Sequence, residues 1–425
     1  MRFIITEFEK CQIRPNIPHY ITNEIFRDAI KELNTRVLNY LGGATNKVPL
    51  VFDGTYLTAN GIAGVVSLME GIEIEIIPKF LTNISARSDW KNTLFYLSLL
   101  SRYGYILSSS EISSTISSKH ASYELSALLM VNEYSQHHRQ FVREYTRSKI
   151  RDFSIQGEID YDNIYDIQPE GILQDSLTLS KSNQINATIQ SAMKMVLSQI
   201  STPSSISQLE KYIYELGNQP SFNPTIRLSV PARNFQWSKL YNLAFDIISG
   251  CTVSLEEGSL NTFGYVADTW RIWEWFISYC IKNGLSHSLY SVKLQNIIPW
   301  GTKFDCDNKI SIVQVKPDIS IFDKADGKIL YLADAKYKVI SKGAISNSDI
   351  YEAVAFCQAN NTKVIALIYP DNEAIHKVKY DGKYEIGDIT IIAIKVSIGI
   401  IDNDQDLRNI SNIVSTGLID TIESI

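Results

Sequence analysis

Apolar positions along the 425-residue chain recur at period two in some stretches and at helical spacing in others. Residues 2–8 are short and rich in β-formers, and Ile72-Glu73-Ile74-Glu75-Ile76-Ile77 alternates apolar with acidic, so the first eighty residues predict mostly strand. Between them residues 23–41 have helical spacing and stop at Gly42-Gly43, while Asp53-Gly54 and Asn60-Gly61 predict turns. From Trp90 to about Ile150 the spacing becomes helical, marked by Leu94, Leu97, Leu99, Leu100, Leu125, Leu128 and Leu129. That run closes on a basic segment carrying Arg139, Arg143, Arg147, Lys149 and Arg151, for which a solvated helix face is favoured over a phosphate-binding stripe. Residues 160–225 are mixed, and Ser201-Thr202-Pro203-Ser204-Ser205 predicts a flexible joint or domain edge.

The last third has a different pattern. Residues 269–282 predict an aromatic-rich helix, followed by strands over 310–315, 318–322 and 329–337. A helix over 349–359 and a buried strand over 364–369 complete an α/β core, one sheet with helices packed on it.

Composition narrows the class. With 45% hydrophobic and 20% charged residues the chain is an ordinary globular protein, long enough for two or three domains. A net charge of −6 argues against holding DNA by bulk electrostatics, though a local basic surface or a basic partner remains compatible with it. Cys11, Cys251, Cys280, Cys306 and Cys357 are scattered without a CxxC pair, which fits reduced thiols and not a zinc site. The N-terminus lacks the apolar core of a signal peptide, and no apolar run is long enough to span a membrane, so a soluble cytoplasmic protein is expected.

The strongest chemical signal is Lys316-Pro317-Asp318, then a turn, then Asp334-Ala335-Lys336. Asp323-Lys324-Ala325-Asp326-Gly327 is hairpin-turn chemistry, so the flanking strands should pair antiparallel. Side chains alternate across a strand, which puts Asp334 and Lys336 on one face with Asp318 approaching from the neighbour. Two converging carboxylates make a hard oxygen site suited to Mg²⁺, and the lysine could orient water or stabilise charge on a phosphate. An isolated Asp-x-Lys more often marks a solvated strand face, but here both strands are otherwise apolar and polar residues on them need a reason. Glu274, set among Trp270, Trp273, Trp275 and Phe276, is a third acid, either half exposed or drawn to a cation. Asp349 and Glu352 have capping-box spacing and are read as capping the helix that follows the lysine. No GxxxxGK[ST], GxSxG or HExxH occurs, and His137-His138 has no spaced metal partners.

Taken together these segments resemble the McrC family over nearly the whole chain. Gly71-Ile72-Glu73-Ile74-Glu75-Ile76-Ile77-Pro78-Lys79 is similar to its N-terminal strand, and Arg143-Glu144-Tyr145 with Ser154 through Gly157-Glu158-Ile159-Asp160 to a later stretch. Tyr241 through Ala244 to Gly250 resembles a family helix, and Phe263-Gly264 through Trp273-Glu274 a glycine-led segment and helix. Pro317-Asp318 and Asp334-Ala335-Lys336-Tyr337-Lys338 complete the series in family order. The resemblance implies a PD-(D/E)xK nuclease whose active-site residues map onto Asp318, Asp334 and Lys336, with Asp318 and Asp334 as metal ligands and Glu274 as an accessory acid. Such nucleases often have glutamine after the helix tyrosine, where this chain has Tyr351-Glu352.

The resemblance further implies Mg²⁺ as cofactor, with Mn²⁺ as a substitute, and a McrB-like AAA+ NTPase hexamer as partner. That partner would bind GTP or ATP and recognise modified DNA, including modified cytosine; the N-terminal part of this chain would enter its ring and stimulate hydrolysis. The resulting expectation is an α/β (α+β overall) protein: a strand-rich partner-engaging domain over 1–160, a helical middle over 161–240, and a nuclease domain over 241–425 with a mixed sheet flanked by helices. The expected function is cleavage of double-stranded DNA in anti-phage restriction. Two rivals stay open, an assembly and GTPase-activating subunit with a vestigial nuclease, and a nuclease without a motor.

Overall fold

The computed structural model describes residues 2–16, 21–41, 48–69, 72–82, 89–103, 121–159, 168–221, 227–254, 265–304, 306, 310–338, 344–371, 373, 375–401 and 404–424. Gly42-Gly43, Gly71, Asp160 and Phe263-Gly264, singled out above, lie outside them.

The N-terminal part runs β1 (Arg2–Thr6), β2 (Cys11–Gln12), α1 (Asn23–Tyr40), β3 (Leu50–Phe52), β4 (Tyr56–Ala59), β5 (Ile62–Met69) and β6 (Ile72–Ile77). Helix α1 buries Phe26, Ile30, Leu33 and Val37 against Ile5, Leu57 and Ile74, the i, i+4, i+7 spacing that the sequence shows. Strand β1 pairs parallel with β6, and β6 antiparallel with β5. The acidic residues of β6 do not form an open face. Glu75 is buried and held by Arg2 at 2.8 Å and by Lys91, and Glu73 lies 3.4 Å from Arg2.

Next come α2 (Asp89–Tyr103), α3 (Ala121–His137), β7 (Glu144–Asp152), β8 (Glu158–Ile159), β9 (Ile172–Ser180), α4 (Gln184–Leu197), α5 (Pro203–Leu216) and α6 (Ser238–Ser254). Two expectations are corrected here. Arg147, Lys149 and Arg151 lie on a strand and not on a helix, because β7 pairs antiparallel with β9 from Glu144 to Asp152. Their spacing of two, with β-branched Thr146 before them and Ile150 among them, suits a pleated ribbon, and the distant partner strand decides it. The segment around Pro203 is not a domain edge, since it lies within the compact unit Ser117–Ser249, and Pro203 occupies the first turn of α5, where its missing N–H costs nothing.

The C-terminal part comprises β10 (Tyr265–Asp268), α7 (Thr269–Gly284), β11 (Tyr290–Leu294), β12 (Ile298–Phe304), β13 (Ile310–Val315), β14 (Ile319–Asp323), β15 (Ile329–Ala335), α8 (Asn347–Asn360), β16 (Val364–Asp371), β17 (Lys377–Ile386), β18 (Ile389–Ser397) and α9 (Asp404–Glu423). Six strands form one sheet in the order β11-β14-β15-β16-β18-β17. Its centre, β15-β16-β18, is parallel and its flanks antiparallel. Strands β12 and β13 form a separate two-stranded ribbon. Alternate residues of the central strands pack two ways. Leu332, Ile365, Leu367, Tyr369, Ile391 and Ala393 join Ala353 and Phe356 of α8 in one core, while Ala366, Ile368, Ile392 and Ile394 are buried on the opposite face. Gly284 lets α7 approach α9 closely, since a Cβ there would meet Ser415 Oγ at 2.0 Å.

Strand β10 pairs with β5, so the four-stranded sheet β1-β6-β5-β10 ties the N-terminal part of the chain to the start of the C-terminal part. The chain divides into two compact units, Met1–Ile116 with Gly250–Ile425, and Ser117–Ser249. The boundaries expected near 160 and 240 fall inside the second unit. Periodicity alone cannot show that a strand at residue 265 completes a sheet begun at residue 2. Among the described residues no helix is long and apolar enough to cross a membrane.

Candidate functional site

The hairpin between β14 and β15 forms as its turn residues dictate. Gly327 takes φ +71° and donates its N–H to the Asp323 carbonyl at 3.0 Å, and the register places Ile319 opposite Ala333. One step beyond, at the open end, stand Asp318 and Asp334. The Ala335 N–H donates to Asp318 Oδ2 at 2.9 Å, fixing that carboxylate beside the strand end. Asp334 is buried, only 4% exposed. Lys336 Nζ lies 2.6 Å from Asp334 Oδ2 and 2.7 Å from Glu352 Oε2, bracketed by the two acids. Its backbone N–H continues the parallel ladder to the Ile368 carbonyl at 2.9 Å.

The electrostatics follow from this crowding. Burial, then the neighbouring Asp334 charge, push the Asp318 carboxyl up to about 8, with Glu274 adding to the rise. Burial likewise raises Asp334, against the pull of Lys336. The two interacting carboxyls are best treated as a pair that retains a proton near neutral pH. Burial works against the Lys336 charge, but Asp334 and Glu352 outweigh it and hold the ammonium above the usual lysine range. Lys336 therefore stays protonated.

Glu274 sits half-buried on α7 and accepts from Gln295 Nε2 at 2.7 Å. The Gln295 backbone N–H donates to the Asp318 carbonyl at 2.7 Å, so one residue stitches Glu274 to Asp318. Gln295 adopts φ +48°, a left-handed conformation uncommon for a side chain of this kind. Nothing in its neighbourhood signalled it in advance.

The capping reading of Asp349 and Glu352 is overturned. Ser346 is the N-cap of α8, and its side chain accepts from the Asp349 N–H. Asp349 is buried and takes Lys338 Nζ at 2.6 Å and the Tyr369 hydroxyl at 2.9 Å, while Glu352 reaches Lys336. The spacing suggested a capping box, but the cap is Ser346, and these two side chains take lysine and tyrosine donors from other segments. Also missed was Glu7, which accepts from Thr269 and Tyr337; the only local hint was that Tyr337 directly follows Lys336.

Asp318 and Asp334 fit a hard divalent cation. Burial, with the Asp334 charge adding to it at Asp318, disfavours the ionised carboxyls, and a bound cation offsets that cost. Among the described residues no three or more His, Cys, Asp or Glu side chains form a ready metal cage. Two carboxylates suffice for Mg²⁺, which keeps several waters and takes phosphate oxygens from a substrate.

Comparisons with known proteins agree with this geometry at the level of the fold. The chain is similar over 99% of its length to McrC in a refined half-complex from the tetradecameric assembly of Thermococcus gammatolerans McrB AAA+ hexamers with bound McrC. That match covers 100% of the other chain at 13% identity, with a TM-score of 0.59. A second match, to the cryo-EM structure of the Thermococcus gammatolerans McrBC complex, covers 65% of this chain and 86% of the other at 13% identity, with a TM-score of 0.38. No curated protein sequence matches the chain. The profile described as McrBC 5-methylcytosine restriction system component matches residues 57–370, well over half of the chain, a span that holds Glu274, Asp318, Asp334, Lys336 and Glu352. This chain therefore belongs to the McrBC 5-methylcytosine restriction system component family.

Proposed function

We propose that the chain is the DNA-cleaving subunit of a McrBC-type restriction complex, an Mg²⁺-dependent endonuclease of the PD-(D/E)xK type. It would act with a McrB-like AAA+ NTPase that binds GTP or ATP, on double-stranded DNA marked by modified cytosine, in the cytoplasm. The observation that carries this reading is the protonated Lys336 set between Asp334 and Glu352, beside the proton-retaining Asp318–Asp334 pair.

Asp318 and Asp334 would hold the cation. When bound, it supplies Lewis-acid stabilisation of phosphate charge and a water of lowered pKa. Lys336 is held protonated, so it is no general base; its role is to stabilise negative charge growing on the phosphate oxygens. Glu352 keeps the lysine from folding wholly onto Asp334. Glu274, restrained by Gln295, adds negative charge near Asp318 and strengthens the site's preference for a cation.

Engagement of the motor is assigned to Ser117–Ser249, a revision of the expected 1–160. Residues of Met1–Ile116 share a compact unit with the site, whereas Ser117–Ser249 forms the other unit. Its β7–β9 ribbon exposes Tyr145, Leu177 and Leu179, and Phe153 and Ile155 follow directly, an apolar surface suited to a protein partner.

The test is plasmid cleavage by the purified complex with Mg²⁺ and nucleotide. Lys336→Ala is expected to lower the rate by about 10²–10³, the cost of removing one charge-stabilising donor, with circular dichroism unchanged. Wild-type cutting by that variant would remove Lys336 from the mechanism.

A further inference from the structure

Glu7 is fully buried at the end of β1, and a carboxylate there needs donors to offset its desolvation. It finds them in three distant segments. The Thr269 hydroxyl donates to Oε1 at 2.6 Å, the Tyr337 hydroxyl donates to Oε2, and the Lys79 N–H reaches Oε2 at 3.3 Å. Burial still pushes the Glu7 carboxyl up to about 7, against the pull of those donors and of the Lys79 ammonium. Burial and the facing carboxylate raise the Tyr337 hydroxyl well above the phenol range, so it remains a donor.

Packing alone does not call for an acid here, since a hydrophobic residue of similar volume is generally as stable as a buried charged group. What the acid adds is a fixed relation between its donors. Tyr337 directly follows Lys336, and its ring is wedged against Phe8, Phe80 and Trp273 at centroid distances of 6.2, 5.9 and 6.4 Å. Thr269 is the first residue of α7, the helix that carries Glu274. Lys79 follows the end of β6, in the sheet that β10 completes just before α7. One carboxylate thus grips the strand exit holding the lysine and the helix start leading to the accessory acid.

We infer that Glu7 is a positioning residue of the nuclease site: by binding the Tyr337 and Thr269 hydroxyls together, it sets Lys336 on its strand exit relative to Glu274 on its helix. This rests on the nuclease reading above. The site is accordingly not self-contained in the C-terminal half; it extends to the seventh residue of the chain.

The experiment uses full-length chain in its complex, with Tyr337→Phe, Glu7→Gln and the double variant. Tyr337→Phe keeps the ring packing and removes only the donor. Each single variant is expected to lower kcat about 10-fold with KM for DNA unchanged, because a misplaced lysine costs the transition state and not binding. The double variant is expected to be no worse than the weaker single, since both break one interaction. Hydrogen exchange of the segment 334–338 should quicken in each variant while α9 stays as in wild type. A purely structural role would lower the melting temperature and leave kcat per folded molecule and the segment's exchange unchanged, overturning the inference; so would single effects that multiply in the double variant. If the wild-type complex failed to cut DNA, the nuclease reading would fall, and the exchange measurement alone would still decide whether Glu7 orders this segment.

Discussion

Replacing Asp318 with Asn tests the origin of the site's electrostatic strain. The carboxyl lies at about 8 in the folded protein against an ordinary 3.8, a difference of about 6 kcal/mol at about 1.4 kcal/mol per pH unit. Its sign follows from proton counting. Below the ordinary value both folded and unfolded chains hold the proton, and the group costs nothing. From about pH 4 to about 8 the folded pair keeps a proton that the unfolded chain has lost, so wild-type stability falls as pH rises through that window and levels off above it. Asn carries no charge, yet its amide oxygen can still accept from the Ala335 N–H, the bond that holds Asp318 at 2.9 Å. The variant should match wild type near pH 4 and exceed it increasingly toward pH 8, by about 3–5 kcal/mol. The assay is urea unfolding at pH steps from 4 to 8.5 with a chelator present, repeated with Mg²⁺. Added Mg²⁺ should stabilise wild type at pH 8 and leave Asp318→Asn unchanged. Parallel stability curves for the two proteins across the whole range would show that no buried repulsion exists for a metal to relieve.

Glu352→Gln should slow cleavage by roughly 3–10-fold without changing stability, because its side chain is 48% exposed and its pairing with Lys336 is partly screened; an unchanged kcat would make Glu352 a bystander. A fragment of residues 241–425 should neither fold cooperatively nor cut DNA, since it leaves β10 without β5 and Tyr337 without Glu7; a two-state melt with cleavage by that fragment would contradict this. Ser117–Ser249 expressed alone should bind the AAA+ partner and speed its nucleotide hydrolysis, as should full-length Asp334→Ala; stimulation by the latter and none by the folded fragment would place the activating surface in the other unit.

What the sequence determined by itself is local and periodic. Helix α1, the pairing of β14 with β15 and the juxtaposition of Asp318, Asp334 and Lys336 were legible because the hairpin closes within a few residues and strand alternation sets which side chains meet. Helical spacing likewise found α8, although not its Ser346 cap or the true duties of Asp349 and Glu352. The rest depended on contacts between residues far apart in the chain. The basic segment became a strand because β9 lies alongside it, and Glu75 became buried because Arg2 and Lys91 reach it. Gln295 joined Glu274 to Asp318 through a loop with no recognisable pattern. Glu7 met Thr269 and Tyr337 across separations of 262 and 330 residues. Such pairings leave no periodic trace, because the free energy that selects them comes from burial and hydrogen bonding in the assembled core and not from the local preferences of either segment.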